Sequence, residues 1–320
     1  MRAFWALFIA SLAAPLAAGE PSLIQPIDCT LGETCHIQNY VDRDPGPGAA
    51  DYDCGTLTYD GHKGTDFALP SLTAMERGVD VLAAAPGTVV GTRDGMADVA
   101  YSDETASAIA GRECGNGVVL RHAEGYETQY CHMKSGSVRV REGDRVGAGD
   151  RIGQVGLSGK TEFPHLHLSV RRDGAVIDPF AVEAGESCGG TGPGLWAAPP
   201  GYRPGGLIDA GFAAAIPDYD AVKAGTAARA DLAPDASGLV LFGYGYGART
   251  GDVIEIAIDG PDGWTFADSS GIERNQAQYF KAMGKRRTAG AWPSGTYTGT
   301  VTLRRGNAVI DRKTARMQIR

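Results

Sequence analysis

The stretch His165-Leu166-His167-Leu168-Ser169-Val170 alternates polar and apolar side chains without a break. A helix would spread these residues around its circumference, whereas an extended strand turns every second side chain to one face. The pattern predicts a half-buried β-strand with Leu166, Leu168 and Val170 in an apolar layer and both imidazoles on the opposite face. Similar short runs precede it. Val79 to Val90 holds two apolar pieces broken at Pro86-Gly87, and Val118 to Arg121 and Glu127 to His132 flank the turn Glu124-Gly125. Val138-Arg139-Val140 and the glycine-punctuated segment Arg141 to Leu157 add further strands. A compact antiparallel β domain is therefore expected over residues 58–184, its regular structure ending near Phe180. It follows an irregular lead-in, residues 19–57, rich in Asp, Pro and Gly.

Residues 185–206 carry Gly189-Gly190, Pro193, Pro199-Pro200 and Pro204-Gly205, and read as a linker. Beyond them, over residues 207–320, Leu239 to Phe242, Val253 to Ile258, Tyr297 to Leu303 and Ala308 to Ile319 read as strands. Tyr297, Gly299, Val301 and Leu303 share one face, with threonines on the other. Ile272 to Met283 reads as one amphipathic helix. The expected architecture is all-β throughout, with an immunoglobulin-like β-sandwich as the C-terminal domain.

The chain has 320 residues and a formal charge of -8, from 30 basic and 38 acidic side chains. No block or stripe of Lys and Arg is present, so nucleic acid is not an expected partner. Arg2, the apolar run Phe4 to Leu16 and the small residues Ala17, Ala18 and Gly19 have the layout of a signal peptide, residues 1–18. The run is short for a transmembrane span, and no second stretch approaches that length. Export to the periplasm or medium is expected, with no transmembrane segment after cleavage. The six cysteines are even in number, which in an oxidising compartment favours disulfides. Cys29 with Cys35 would close a local loop, Cys114 with Cys131 would staple neighbouring strands, and Cys54 with Cys188 is the remainder among fifteen arrangements.

All six histidines (His36, His62, His122, His132, His165 and His167) lie in the first 167 residues, so chemistry is expected in the first domain. His62 and Asp66 are four apart beside Gly64 and Thr65, which disfavour a helix, and a strand also places such a pair on one face. A neighbouring strand bearing His167 could then bring His62, Asp66 and His167 to one point. Two imidazoles and a carboxylate with a fourth position open describe a catalytic rather than a structural zinc. Surface histidines donating to nearby carboxylates are the bland alternative.

Further blocks accompany these: Gly61 to Phe67, Ala85 to Val89, Gly115 to His122, Tyr130 to Met133, Gly143 to Val146, Ile152 to Gly159 and Pro164 to Leu168. In this order they resemble the lysostaphin and LytM-type zinc metallopeptidases, which cleave peptide bonds in bacterial cell-wall peptidoglycan. The resemblance covers about Thr58 to Phe180. It implies one zinc per chain on His62, Asp66 and His167, and two catalytic non-ligand histidines, His132 and His165. It also implies hydrolysis of peptidoglycan crosslinks by metal-activated water, with stem peptides as partners. A noncatalytic wall-binding or amidase-activating module and a zinc peptidase acting on proteins are the alternatives. The C-terminal domain could bind a cell-envelope protein, and a monomer is the default.

Several residues read more plainly. His122 reads as a structural hydrogen-bonding residue at a strand end or as an outer support of the site, His36 as incidental, Tyr130 as packing or groove wall, and Asn116 as a turn-fixing residue or a substrate contact. Cys131 and Met133 depart from the small residue and Leu that usually flank the third-strand histidine. An acidic segment between Val90 and Cys114, with Asp94, Asp98, Asp103, Glu104 and Glu113, would narrow a groove or simply be solvated.

Overall fold

A computed structural model describes residues 19–182, 188–189 and 193–320. The expected signal peptide lies outside the described residues. The first half carries β1 (His36–Asn39), β2 (Thr65–Ala68), β3 (Asp80–Leu82), β4 (Gly87–Arg93), β5 (Asn116–Arg121) and β6 (Tyr126–Met133). It continues with β7 (Arg145–Val146), β8 (Arg151–Gln154), β9 (His165–Arg172) and β10 (Ala175–Ile177), and holds the short helices α1 (Leu72–Arg77) and α2 (Ala106–Ile109). The main sheet runs β1-β2-β9-β6-β5-β4-β7, with β10 paired to β9 and every pairing antiparallel. Strands β3 and β8 form a separate pair. The alternation in β9 does what it predicts: Leu166, Leu168 and Val170 are buried in the apolar layer with Phe67, Val118, Leu120 and Tyr130.

The lead-in is more ordered than its composition suggests. His36–Asn39 adds an edge strand to β2, Leu23 and Ile27 enter the core, and Leu23 bridges Trp196. The expected linker also packs. Leu195 and Trp196 are buried, Trp196 meets Phe180 with ring centroids 5.3 Å apart, and Tyr202 donates to Asp51 Oδ2 at 2.8 Å. Aromatic and aliphatic area offsets the turn-rich backbone there.

The second half contains β11 (Gly206–Ala213), α3 (Tyr219–Ala224), β12 (Asp231–Leu232), β13 (Gly238–Ala248), β14 (Val253–Asp259), β15 (Thr265–Gly271), β16 (Gln276–Arg286), β17 (Gly295–Arg305) and β18 (Ala308–Ile319). They form a three-stranded sheet, β11-β13-β16, and a five-stranded sheet, β12-β18-β17-β14-β15. The helix expected over Ile272 to Met283 is absent: Gln276–Arg286 is a strand paired antiparallel with β13. Its apolar residues satisfy a helical spacing, but the long-range pairing with β13 decides the outcome.

Strand β13 explains how the halves join. All eleven of its residues are buried. Leu239 and Leu241 pack with Ile254, Ile256, Val301 and Leu303 between the two C-terminal sheets, whereas Phe242, Tyr244 and Tyr246 join the apolar cluster of the first half. One strand thus serves two cores through its two faces. The three disulfides are Cys29–Cys35, Cys54–Cys188 and Cys114–Cys131, one of the fifteen arrangements the sequence leaves open. Among the described residues no helix is long and apolar enough to cross a membrane.

Candidate metal centre

Strands β2 and β9 lie side by side with Asp66 directly opposite His167. The register brings their side chains together from positions 101 residues apart: His167 Nδ1 is 2.7 Å from Asp66 Oδ1. His62 arrives differently from the expectation. It is not on a strand shared with Asp66 but in the turn before β2, where its backbone N–H bonds Tyr59 O and its carbonyl accepts from Asp42 N. Its Nε2 is 3.2 Å from both Asp66 Oδ1 and His167 Nδ1. Gly64 makes the approach possible, because a Cβ there would sit 2.5 Å from His167 Nε2 and 2.7 Å from Leu168 O.

The groups around this trio settle which ring nitrogens carry protons. His62 Nδ1 faces Tyr40 O at 2.6 Å and must donate to it, leaving the Nε2 lone pair turned inward. Ser169 Oγ donates to Lys63 O at 2.7 Å, so it accepts from His167 Nε2 at 3.0 Å and leaves the Nδ1 lone pair inward. Two imidazole lone pairs and a carboxylate oxygen therefore converge, with no donor among the three atoms. Ligands about 2.0–2.2 Å from a tetrahedral ion lie about 3.4 Å apart, so the observed separations suit a small cation. Asn39 Nδ2 holds the other carboxylate oxygen, Asp66 Oδ2, at 2.9 Å. Outer contacts of this kind orient metal ligands and fix tautomers.

The electrostatics agree with a charged carboxylate. Burial pushes the Asp66 carboxyl up, but the neighbouring His62, His165 and His167 outweigh it and hold the group well below its ordinary range. Burial lowers His62, and Asp66 overcomes this to raise it. His167 is lowered, first by burial.

Two more histidines border the trio. His165 shares the His167 face of β9; its Nε2 lies 3.4 Å from Asp66 Oδ1, and its Nδ1 faces Phe163 O at 2.9 Å. Phe163 stacks on the His165 ring, centroids 4.5 Å apart. His132 sits in the left-handed region, φ 61°, where the β5–β6 pairing is irregular. Its N–H donates to Cys114 O, its carbonyl accepts from Gly156, and Nδ1 faces Ser158 O at 2.8 Å. A bulge re-aims a side chain, and here it sets the His132 ring 4.7 Å from His165 and 5.9 Å from His167. Burial and the neighbouring His165 and His167 push His132 well below the usual histidine range.

Residues 60–179 match the family model described as Peptidase family M23. This stretch is an M23 peptidase domain. It is 33% identical over 123 residues to the DD-carboxypeptidase/endopeptidase Mpg of Neisseria meningitidis, covering 38% of this chain and 22% of that protein. It is 35% identical over 109 residues to the peptidoglycan DD-endopeptidase ShyA of Vibrio cholerae, covering 34% and 20%. The chain thus matches about a fifth of the length of these curated relatives. Among solved structures, the catalytic domain of lysostaphin from Staphylococcus simulans is 26% identical with a TM-score of 0.28, covering 42% of this chain and 86% of that one.

The remaining histidines of the M23 domain and its lead-in stand apart from the centre. His122 bonds Pro86 O and Thr128 Oγ1, each at 2.8 Å, a structural role at a strand end. His36 is buried between Gln38 and the Tyr246 ring, so it is part of the contact between the halves rather than incidental. Asn116 fixes backbone through Met96 and Met133. In the acidic segment Asp94 and Asp98 accept from the amides of Gly136, Val138, Ser135 and Leu157, which ties the segment down. Asn39 and Ser169 were missed as supports of the centre. Ser169 continues the alternation of His165 and His167 onto the same face, a readable signal; Asn39 sits in the lead-in with no motif around it.

Proposed function

We propose that the chain is a zinc-dependent endopeptidase that hydrolyses peptide crosslinks of bacterial peptidoglycan in the periplasm or outside the cell. The observation that carries this reading is the convergence of the His62, Asp66 and His167 acceptors with no proton between them. The names of the relatives, a DD-carboxypeptidase/endopeptidase and a peptidoglycan DD-endopeptidase, support the substrate class. In this reading His62, Asp66 and His167 hold the ion. Bound zinc supplies a water of lowered pKa and polarises the scissile carbonyl.

His165 Nδ1–H donates to Phe163 O, so its Nε2 is an acceptor when the ring is neutral. It takes the proton from the attacking water and returns it to the leaving amine. His132 is likewise anchored at Nδ1 by Ser158 O, and its ring, beside that of His165, borders the space where the scissile group would lie. The C-terminal half is read as an immunoglobulin-like sandwich on a monomeric enzyme, available to a cell-envelope partner, with residues 58–184 and 207–320 as the two domains.

The test combines metal analysis with digestion. Purified protein should bind one zinc, and sacculi should release new peptide ends that vanish with a chelator. His165→Ala should keep the zinc and lose about 100- to 10,000-fold in turnover. Intact sacculi in the presence of zinc-loaded protein would overturn the reading.

A further inference from the structure

A groove of about 610 Å³ runs between the M23 domain and the C-terminal half. One wall is Glu162 and Phe163; the other is Tyr219 and Lys223 with every residue from Arg274 to Phe280. A strand's side chains alternate between its faces, so a wall built from consecutive residues presents the strand's edge. Strand β16 is indeed the outer member of its sheet. An outer edge offers backbone donors and acceptors to an extended chain, the recognition mode of strand addition, and here only Ala277 O is taken by a side chain among the described residues.

Two contacts link the walls of the groove to the metal centre. Phe163 on its wall stacks on His165. Ala277 O accepts from Gln38 Nε2 at 2.8 Å, and Gln278 Nε2 donates to Gln38 Oε1 at 3.2 Å; the next residue, Asn39, holds Asp66. Its charge is asymmetric. Arg274 and Lys223 lie on one wall against Glu162 on the other. Lys223 pairs with the exposed Asp220 at 2.9 Å and covers the Tyr219 ring, whereas among the described residues no carboxylate stands within ion-pair distance of Arg274.

We propose that this groove is a substrate subsite of the peptidase centre, contributed by the C-terminal half, which takes an extended peptide arm along β16 and receives its carboxylate at Arg274 with help from Lys223. The inference rests on the peptidase reading and names where part of the substrate lies beyond the bond that is cut.

The experiment uses the full chain and a dimeric muropeptide purified from digested sacculi, with its carboxylates free or converted to primary amides. The double variant Arg274→Ala, Lys223→Ala alters the exposed Arg274 and the half-buried Lys223, and circular dichroism should match the unaltered protein. Expected is a rise in KM of about tenfold on the free-acid dimer with kcat within about twofold, and no further loss on the amidated dimer, because the same contact is removed from either side. Unchanged KM for the variant on both dimers, with the unaltered protein active, would end the subsite proposal and leave the peptidase reading in place. If the unaltered protein cleaves neither dimer, the peptidase reading fails. Calorimetric titration of the free-acid dimer then decides the groove: binding weakened by the double variant sustains it, and absent or variant-insensitive binding overturns it.

Discussion

Asn39 Nδ2 donates to Asp66 Oδ2 at 2.9 Å, both residues being buried, while Asp66 Oδ1 faces the three imidazoles of His62, His165 and His167. The two carboxylate oxygens are therefore divided: one is fixed by an amide from the lead-in and one is left for chemistry. Asn39→Ala releases the carboxylate to rotate. Zinc affinity should fall about 10- to 100-fold with the fold retained. Competition with a chromophoric chelator measures this directly, and an unchanged affinity would remove Asn39 from the centre.

The Tyr130 hydroxyl accepts from Ala84 N at 2.7 Å and from Thr128 Oγ1 at 3.1 Å, and Thr128 bonds His122 in turn. Tyr130 is fully buried, so Tyr130→Phe leaves the Ala84 amide without its acceptor in a site water does not reach. A loss of about 1–3 kcal/mol in unfolding free energy is expected. Zinc content should not change, since none of these groups touches the metal trio. Urea unfolding of the variant, alongside its zinc stoichiometry, checks both halves of the statement.

How much was legible depends on which residues carried their own pattern. His165 and His167 announced their strand by alternation, and the pairing of β9 with β2 followed the apolar positions. His62 reaches Asp66 and His167 by a route its spacing does not show, because a turn held by Tyr59 and Asp42 does what strand alternation would do. Strand β13 was seen only from Leu239 to Phe242, since Gly243-Tyr244-Gly245-Tyr246-Gly247 reads locally as a loop; two flanking strands and two cores hold it extended. Asn39 is illegible for the same reason. Its partner lies 27 residues away, and nothing in its own neighbourhood points there.

The Cys114–Cys131 disulfide closes a separation of 17 residues and sits beside His132, whose amide bonds Cys114 O at 2.8 Å. Two contributions meet there. Loop closure should be worth about 3 kcal/mol, and the left-handed backbone of His132 costs about 1–3 kcal/mol that its surroundings must offset. Replacing both cysteines by serine should lower the thermal midpoint and let the His132 ring wander. Turnover should then fall while zinc content stays at that of the unaltered protein. Zinc loss with the fold intact would show that the staple supports the metal trio instead.

His36 supplies one part of the pH dependence that can be isolated. Its ring lies 4.3 Å from that of Tyr246, across the contact between the halves, and its Nε2 is 3.2 Å from Gln38 Oε1. Burial first, with smaller contributions from Lys313 and His165, lowers it from 6.5 to about 4 despite the Gln38 hydrogen bond. In the unfolded chain the imidazole takes a proton near pH 6.5, whereas the folded chain resists until about pH 4. Between those values the unfolded state binds more protons, so stability is fully present above 6.5 and declines as the pH falls through that window. From this residue alone the loss between pH 7 and pH 5 is about 2 kcal/mol. His36→Phe keeps a ring against Tyr246 and removes the titration. The variant should lose less stability than the unaltered protein over that interval, although carboxylates contribute equally to both. Chemical denaturation at pH 7, 6 and 5 gives the difference in slope, and parallel curves would mean that His36 is already protonated or hydrated in the folded chain.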